Sequence, residues 1–364
     1  MDVADLLRTM AERGASDLHL SAGNVPFIRV DGELLPMAFA QLDADDTEDV
    51  ADALMPAHKK SEFTRTNEAD FAHTLEGVGR FRVNVLRQRG TVALAIRLVA
   101  SEGQTFEELN LPPIIQSLAE ARRGLVLVTG PTGAGKTTTI AAMIGFINRT
   151  RRAHVVTIED PIEVVHTDDM SVVWQREIGP DTESYAAALR QVLRQDPDVI
   201  FVGEIRDADA ALAAIQAAQT GHLVLSTMHT IDATETVSRV VELFPQSQHR
   251  QVRTSLAGAL RGIVSQRLLE RADGRGLIPA VEILINTGRV YERILDPDQT
   301  AGLVDVIAES GFDGMQTFDQ DLVRLVREGL VAEEDARAVA TNPHDFTLAL
   351  GGVLTRSVAA VEGA

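Results

Sequence analysis

The segment GPTGAGKT constrains the fold more than any other stretch of this chain. It runs from Gly130 to Thr137 and matches the pattern G-x-x-x-x-G-K-[ST] at every fixed position. The apolar run LVLVT comes directly before it, and TTTIAAMIGFINR reads as a helix directly after it. A strand, a glycine-rich loop and a helix in this order predict a loop whose backbone N–H groups bind phosphate.

This loop predicts ATP and Mg²⁺ as the cofactors. Its glycines let successive amides turn toward phosphate oxygens, Lys136 reaches the terminal phosphates, and the Thr137 hydroxyl ligates Mg²⁺. The alternative, a glycine turn without a ligand, does not explain the strand and helix around it. The candidate nucleotide-binding residues in this segment are Gly130, Pro131, Thr132, Gly133, Ala134, Gly135, Lys136, Thr137 and Thr138.

Short apolar strands alternate with helical segments through the middle of the chain. The strands are GLVLVTG, HVVTIED, DVIFVGE and HLVLSTMHT. This alternation is typical of a parallel sheet with helices on both faces. The fold class predicted for this part is therefore α/β. The first hundred residues differ, because DLHLS and GRFRVNVL alternate as half-buried strands and FIRVDGELL carries a hairpin signal at Asp31-Gly32.

These changes of pattern predict four parts. Residues 1–100 form an N-terminal domain, 101–113 a linker with a double proline, and 114–288 the ATPase domain. Residues 289–364 form a helical C-terminal region that ends in a flexible tail, LTRSVAAVEGA.

Composition narrows the class of function. The net charge of −19, from 34 basic and 53 acidic residues, disfavours a nucleic-acid partner. The chain contains no cysteine, which excludes disulfides and thiolate zinc sites. Its apolar runs fall short of the roughly 18 residues of a membrane span, and MDVADLLRTM is unlike a signal peptide. We therefore expect a cytoplasmic protein with no transmembrane segment.

Glu204 stands at the end of the apolar strand that begins at Val199. Ligands of open parallel sheets bind at the carboxyl ends of the strands, so this carboxylate is placed to orient and deprotonate the water that attacks the γ-phosphate. An ion pair with Arg206 or Arg122 is the alternative. The expected catalytic pair is Glu204 with Lys136.

Gly203 occupies the place where P-loop proteins commonly carry an aspartate before the glutamate. Mg²⁺ would then be held mainly by Thr137, phosphates and water. The segment TIEDPIE adds candidates at another strand end: Glu159 and Asp160 for nucleotide binding, with Glu159 also a metal ligand through water, and Glu163 for catalysis. A solvated turn is the alternative for these three carboxylates.

Two histidines flank the strand in TGHLVLSTMHT. His229 lies at its carboxyl end, where a residue that senses the γ-phosphate would sit, and we expect a catalytic role for it. His222, at the other end, is a candidate for nucleotide binding. Neither has a second histidine or cysteine at metal-ligand spacing.

Four stretches taken together resemble the secretion ATPase superfamily. GPTGAGKTTT, TIEDPIE, DPDVIFVGEIRD and TGHLVLSTMHT are similar to its Walker A, Asp-box, atypical Walker B and His-box motifs, in the same order. ASDLHLSAGNVPFIRVDGEL, GRFRVNVLRQRG and GMQTFDQDL are similar to segments of the type IV pilus retraction ATPases, the PilT type. The resemblance covers nearly the whole chain.

The resemblance implies a PAS-like α+β N-terminal domain, a RecA-like P-loop ATPase domain and a homo-hexameric ring. Nucleotide would lie between the two domains, with Arg82, Arg87 and Arg97 approaching the phosphates. It implies a motor for pilus retraction and twitching motility, located at the inner face of the cell membrane. Its partners would be an inner-membrane pilus platform protein and a paralogous pilus ATPase.

One stretch departs from the family. Retraction ATPases share an AIRNLIRE-like helix, where this chain has RVYERILD, Arg289–Asp296. The direction of pilus movement is therefore open, and the alternatives are a slowly hydrolysing regulatory subunit or an assembly or secretion ATPase. Assembly and type II secretion ATPases usually carry four zinc-binding cysteines, so the lack of cysteine favours the retraction class.

Overall fold

The computed structural model describes residues 2–30, 32–101 and 103–351. They group into two compact units. The first holds the residues up to Ser101 and the short segment Glu163–Val165, and the second holds the other described residues. The four-part domain division and the linker remain predictions.

The strands, numbered along the chain, are β1 Asp17–Ser21, β2 Phe27–Val30, β3 Glu33–Pro36, β4 Glu68–Leu75, β5 Gly79–Gln88, β6 Thr91–Leu98, β7 Ala100–Ser101, β8 Gly124–Thr129, β9 His154–Glu159, β10 Val164–Val165, β11 Val172–Glu177, β12 Val199–Val202, β13 Leu223–Met228, β14 Leu260–Glu270 and β15 Leu277–Ile285. The α-helices are α1 Val3–Glu12, α2 Ala44–Leu54, α3 Ala57–Thr66, α4 Pro113–Glu120, α5 Lys136–Thr150, α6 Tyr185–Val192, α7 Ala208–Gln219, α8 Ala233–Glu242, α9 His249–Ala259, α10 Gly288–Leu295, α11 Leu303–Glu309, α12 Phe318–Arg327, α13 Glu333–Val339 and α14 Pro343–Leu350. Short 3₁₀ helices cover Gln246–Gln248, Pro297–Gly302 and Gly311–Asp313.

The first unit is built on an antiparallel sheet in the order β3-β2-β1-β6-β5-β4. Helices α1 and α2 contribute buried apolar residues to its core. In β5 the buried residues Phe81, Val83 and Val85 alternate with more exposed ones, as the polar-apolar alternation predicted. Asp31 of the predicted hairpin turn lies outside the described residues, while β2 and β3 on either side of it pair antiparallel.

The second unit contains a sheet in the order β11-β9-β12-β13-β8-β14-β15. Every residue of β8, β12 and β13 is buried, because helices cover both faces of the sheet. Helices α4 and α5 lie on one face and α6 to α9 on the other. The expectation of a parallel sheet holds for six strands, whereas β15 returns antiparallel to β14.

The C-terminal helices complete the second unit. The stretch that departs from the family forms α10, and Val290 and Ile294 are its buried residues. Helices α12, α13 and α14 pack on apolar residues of β14 and β15. The predicted flexible tail lies outside the described residues. Among the helices of the described ranges, none is long and apolar enough to cross a membrane.

Candidate nucleotide-binding and catalytic site

Parallel strands bring the predicted site residues to one edge of the sheet. Thr129 of β8 pairs with Met228 of β13, and Val202 of β12 pairs with Ser226 of β13. The phosphate loop follows β8, while Glu204 and His229 follow β12 and β13. In the sheet, β13 lies between β12 and β8. Since neighbouring strands lie about 4.8 Å apart, Glu204 and the phosphate loop emerge close to each other at this edge.

The phosphate loop has the backbone that its glycines predict. Gly130, Gly133 and Gly135 have φ values of 145°, 82° and 83°, which disfavour residues with a side chain. A Cβ atom on Gly130 would lie 2.5 Å from the carbonyl oxygen of Gln266. Gly135 precedes the first residue of α5, so the open N–H groups of the helix face the loop.

Lys136 is held on its own loop. Its side chain is buried, and Nζ donates hydrogen bonds of 2.9 Å to the carbonyl oxygens of Gly130 and Pro131. The ammonium group is thereby kept beside the amides that would bind phosphate. Thr137 and Thr138 follow in the first turn of α5.

Glu204 is buried and has two partners among its described contacts. His229 Nε2 donates to its Oε2 at 3.1 Å, and Arg206 Nε contacts its Oε1. The ion pair with Arg206 that we considered as an alternative is therefore present. Glu204 therefore has both the ion pair with Arg206 and the hydrogen bond from His229. The ion pair does not account for the histidine contact.

His229 is electrostatically linked to the phosphate loop. Burial lowers the pKa of its imidazole, and the positive charges of Lys136 and Arg206 lower it further. The ring is therefore neutral at pH 7, and its Nε2–H donates to the Glu204 carboxylate. The register of β8, β12 and β13 brings the lysine loop, the histidine and the glutamate to the same sheet edge, and His229 contacts Glu204 there.

The predicted acidic segment separates into buried and exposed carboxylates. Glu159 is buried and accepts hydrogen bonds from Thr157 Oγ1 at 2.6 Å and Gln175 Nε2 at 3.1 Å. Asp160 and Glu163 are exposed, and Glu163 belongs to the segment grouped with the first unit. The three assigned roles remain predictions.

Few of these groups are suited to holding a metal ion. The described residues contain no cluster of three or more His, Cys, Asp or Glu side chains that could bind one. The Thr137 hydroxyl at the start of α5 suits the P-loop mode, in which Mg²⁺ takes a hydroxyl, phosphate oxygens and water. The role of Thr137 as a Mg²⁺ ligand remains a prediction.

His222 does not join the other site residues. It precedes β13, and the chain next to it pairs with Gly124 at the start of β8, so it lies at the opposite edge from the phosphate loop. Its Nδ1 is within hydrogen-bond distance of the Ala217 carbonyl oxygen, 3.0 Å, and Thr220 Oγ1, 3.3 Å. Its predicted nucleotide-binding role has no support from this placement.

The three candidate arginines lie on two faces of the sheet in the first unit. Arg82 and Arg97 pair across β5 and β6 and therefore share a face. Arg87 is five residues after Arg82 in β5 and points to the other face, where it contacts Glu48 at 3.4 Å and lies over the Phe63 ring. Their role remains a prediction.

The structure explains why glycine precedes Glu204. A Cβ atom on Gly203 would lie 2.8 Å from the Tyr185 hydroxyl oxygen and 3.3 Å from the Ile158 carbonyl oxygen. Burial raises the pKa of Tyr185 to about 12, with Asp160 adding to the shift. A protonated hydroxyl thus occupies the space of the missing aspartate, which sequence reasoning did not find because Tyr185 is 18 positions away along the chain.

A cavity of about 510 Å³ adjoins the start of α5. It is lined by Gly135, Thr138 and Thr139 of the phosphate-loop region and by Gln266 of β14. Gln266 is 1% exposed, and its Oε1 has no hydrogen-bond partner within the described part of the chain. The cavity offers room for the remainder of a nucleotide whose phosphates lie in the loop.

Comparisons with known proteins agree with this geometry. The family model for type II/IV secretion system proteins matches residues 3–335. The chain is 42% identical over 346 residues to the type IV pilus retraction ATPase PilT of Pseudomonas aeruginosa, covering 95% of this chain and all of PilT. It is 42% identical over 345 residues to a twitching motility protein of Neisseria gonorrhoeae, covering 95% and 92%.

A solved structure of the pilus retraction motor PilT with bound ADP has the same fold. Its TM-score is 0.86 at 43% identity, and the match covers 95% of this chain and 98% of that chain. These likenesses confirm the predicted fold class and the family resemblance.

The contact between Gly203 and Tyr185 gives a stability prediction. Gly203→Ala should lower the free energy of unfolding by about 1–3 kcal/mol, because the added methyl group overlaps the Tyr185 hydroxyl. Tyr185→Phe in the same chain should recover part of that loss. Urea titration of the two single variants and the double variant measures the coupling.

Gly288→Ala is the matched control, since a Cβ atom there would meet nothing within 4 Å. Equal losses for Gly203→Ala with and without the Tyr185 hydroxyl would contradict the steric explanation.

Proposed function

The chain belongs to the type II/IV secretion system protein family, and we propose that it is a hexameric ATPase motor that powers type IV pilus retraction. The observation that carries this proposal is the buried Glu204 carboxylate, hydrogen-bonded to His229 at the same sheet edge as the Lys136 loop. This placement supports Glu204 as the general base, His229 as the residue that senses the γ-phosphate, and the Lys136 loop as the phosphate-binding element.

Each residue of the arrangement has a step to perform. The amides of the Gly130–Thr137 loop and Lys136 Nζ bind the phosphates, and the ammonium exchanges its two backbone carbonyls for phosphate oxygens. Glu204 orients the attacking water and accepts its proton. The neutral His229 ring donates to Glu204 and so fixes where that carboxylate points. Bound Mg²⁺, held by Thr137, would neutralise charge on the phosphates.

Hydrolysis is converted to movement at the boundaries between subunits. In the ring that we propose, arginines of the N-terminal domain approach the phosphates, and nucleotide shifts the balance between two domain arrangements. The motor works at the inner face of the cell membrane on an inner-membrane pilus platform protein, beside a paralogous pilus ATPase. Similarity to the retraction ATPase PilT and to a twitching motility protein supports this role.

Because α10 differs from the helix that retraction ATPases share, a regulatory subunit and an assembly motor are the alternative functions, and gene deletion distinguishes them. Deleting the gene should leave cells with more pili and without twitching motility, because pili would still assemble but would no longer retract. Counting pili by electron microscopy measures this. A loss of pili would instead indicate assembly, and an unchanged count with normal motility would contradict a motor role.

Glu204→Gln and Lys136→Ala should separate chemistry from binding. Glu204→Gln keeps the size of the side chain but cannot accept a proton, so turnover should fall by about 10²-fold or more while nucleotide affinity changes little. Lys136→Ala should abolish both. Steady-state phosphate release and the affinity for a fluorescent ATP analogue give the two quantities.

Asp207→Asn is the matched control, because Asp207 follows the same strand but caps α7 through the Ala210 N–H. It should leave turnover near that of the native chain. Equal turnover by Glu204→Gln and the native chain would remove Glu204 from the mechanism.

Mixed rings test whether arginines act across a subunit boundary. Rings made only of Arg82→Ala or only of Lys136→Ala subunits should turn over ATP at least tenfold more slowly than native rings. Mixing the two kinds of subunit should restore part of the activity, because an intact loop then meets an intact arginine. The same experiment with Arg97 and Arg87 shows which face of the sheet supplies the group.

Arg89→Ala, in the turn between β5 and β6, serves as the control and should remain active. Mixtures that recover no activity would argue against an arginine acting from the neighbouring subunit.

A further inference from the structure

The stretch that carries His229 is fixed to the helix that follows it. In the His229 segment, residues 229–232, the Ile231 N–H donates to Glu235 Oε2 at 2.8 Å. Thr230 Oγ1 bonds Thr236 Oγ1 at 2.6 Å, and Thr236 Oγ1 donates in turn to the Asp232 carbonyl oxygen at 2.6 Å. Since Glu235 and Thr236 lie in the first turns of α8, a shift of that helix start would move His229 with it.

A side chain from another strand holds the start of α8. Glu282 of β15 is buried, and its Oε1 accepts a hydrogen bond of 2.9 Å from the N–H of Ala233, the first residue of α8. Asp232 separately accepts from the Glu235 N–H at 2.7 Å. The start of α8 thus has its own N-cap residue and, in addition, a distant carboxylate that joins it to the β14–β15 hairpin.

Keeping a carboxylate at this position is costly. Burial raises the pKa of Glu282 to about 7, and the nearby charge of Asp232 raises it as well. Arg267 of β14 opposes that shift with its positive charge. An apolar residue would avoid the desolvation cost but would leave the buried Ala233 N–H without its acceptor. The group is therefore placed to hold α8 rather than to fill space.

We propose that Glu282 is a positioning residue for ATP hydrolysis, which holds the start of α8 so that His229 stays against Glu204. The chain of contacts runs from Glu282 to Ala233, through the His229 segment, to Glu204. This inference rests on the proposed ATPase function. It assigns to the β14–β15 hairpin, whose Gln266 also lines the cavity beside the loop, a part in arranging the catalytic groups.

The test compares Glu282→Ala with Glu282→Gln, alone and combined with His229→Ala. Glu282→Ala removes the acceptor and should lower kcat about tenfold through loss of alignment, with the nucleotide affinity unchanged within about twofold. Glu282→Gln keeps an oxygen that accepts from Ala233 and should retain most of the turnover. In the His229→Ala chain, adding Glu282→Ala should cause no further loss, because the two residues act through one contact.

Asp321→Ala is the matched control for a purely structural effect. Asp321 of α12 is also a buried carboxylate, and it accepts a 2.8 Å hydrogen bond from the N–H of Val281, the neighbour of Glu282. It does not contact α8 among its described hydrogen bonds and ion pairs. Its loss should reduce thermal stability, and any effect on kcat should add to that of His229→Ala.

Hydrogen exchange gives a readout that does not depend on turnover. Glu282→Ala should speed exchange of the amides in the His229 segment and the first turn of α8, and Asp321→Ala should not. If Glu282→Ala does not fold, Glu282→Asp, which shortens the side chain by one methylene, is examined in the same way.

Independent, multiplicative losses for Glu282→Ala and His229→Ala would overturn the proposal, as would unchanged exchange at α8. Absence of ATP hydrolysis by the native chain would instead refute the proposed function, whereas the exchange experiment would still show whether Glu282 holds the helix.

Discussion

The hydrogen bond between His229 and Glu204 joins the two strand ends on which the site depends. It forms because β12 and β13 run parallel and in register, so that the residues following them emerge at the same edge. The same register places the phosphate loop after β8, on the other side of β13. A buried carboxylate, a neutral imidazole and a buried lysine thereby share one environment, in which each charge affects its neighbours.

Local sequence was sufficient to predict the parts of the molecule that follow short-range rules. The glycine loop, the apolar strands and the alternation in β5 each depend on residues within a few positions of one another. The rule that parallel strands present ligands at their carboxyl ends then placed Glu204 and His229 near Lys136. We nevertheless predicted nucleotide binding for His222, although it stands at the entry end of β13, and the structure places it at the edge opposite the loop.

The remaining features depend on contacts between distant parts of the chain. Tyr185 fills the space next to Gly203, and Glu282 of β15 accepts a hydrogen bond from Ala233 of α8, but no spacing in the sequence predicts either contact. The antiparallel β15 was not predicted because an apolar run does not reveal strand direction. For Arg87 a signal did exist: counting in twos from Arg82 places it on the opposite face of β5.

The most direct test of the account is a structure of the chain with Mg²⁺ and a non-hydrolysable ATP analogue. We predict that Lys136 Nζ leaves the carbonyl oxygens of Gly130 and Pro131 for the terminal phosphates. We also predict that a Glu204 oxygen lies about 3 Å from a water molecule in line with the γ-phosphate, with His229 still bonded to Glu204. A γ-phosphate bound in the loop with the Glu204 carboxylate turned away, beyond the reach of a single water, would contradict the account.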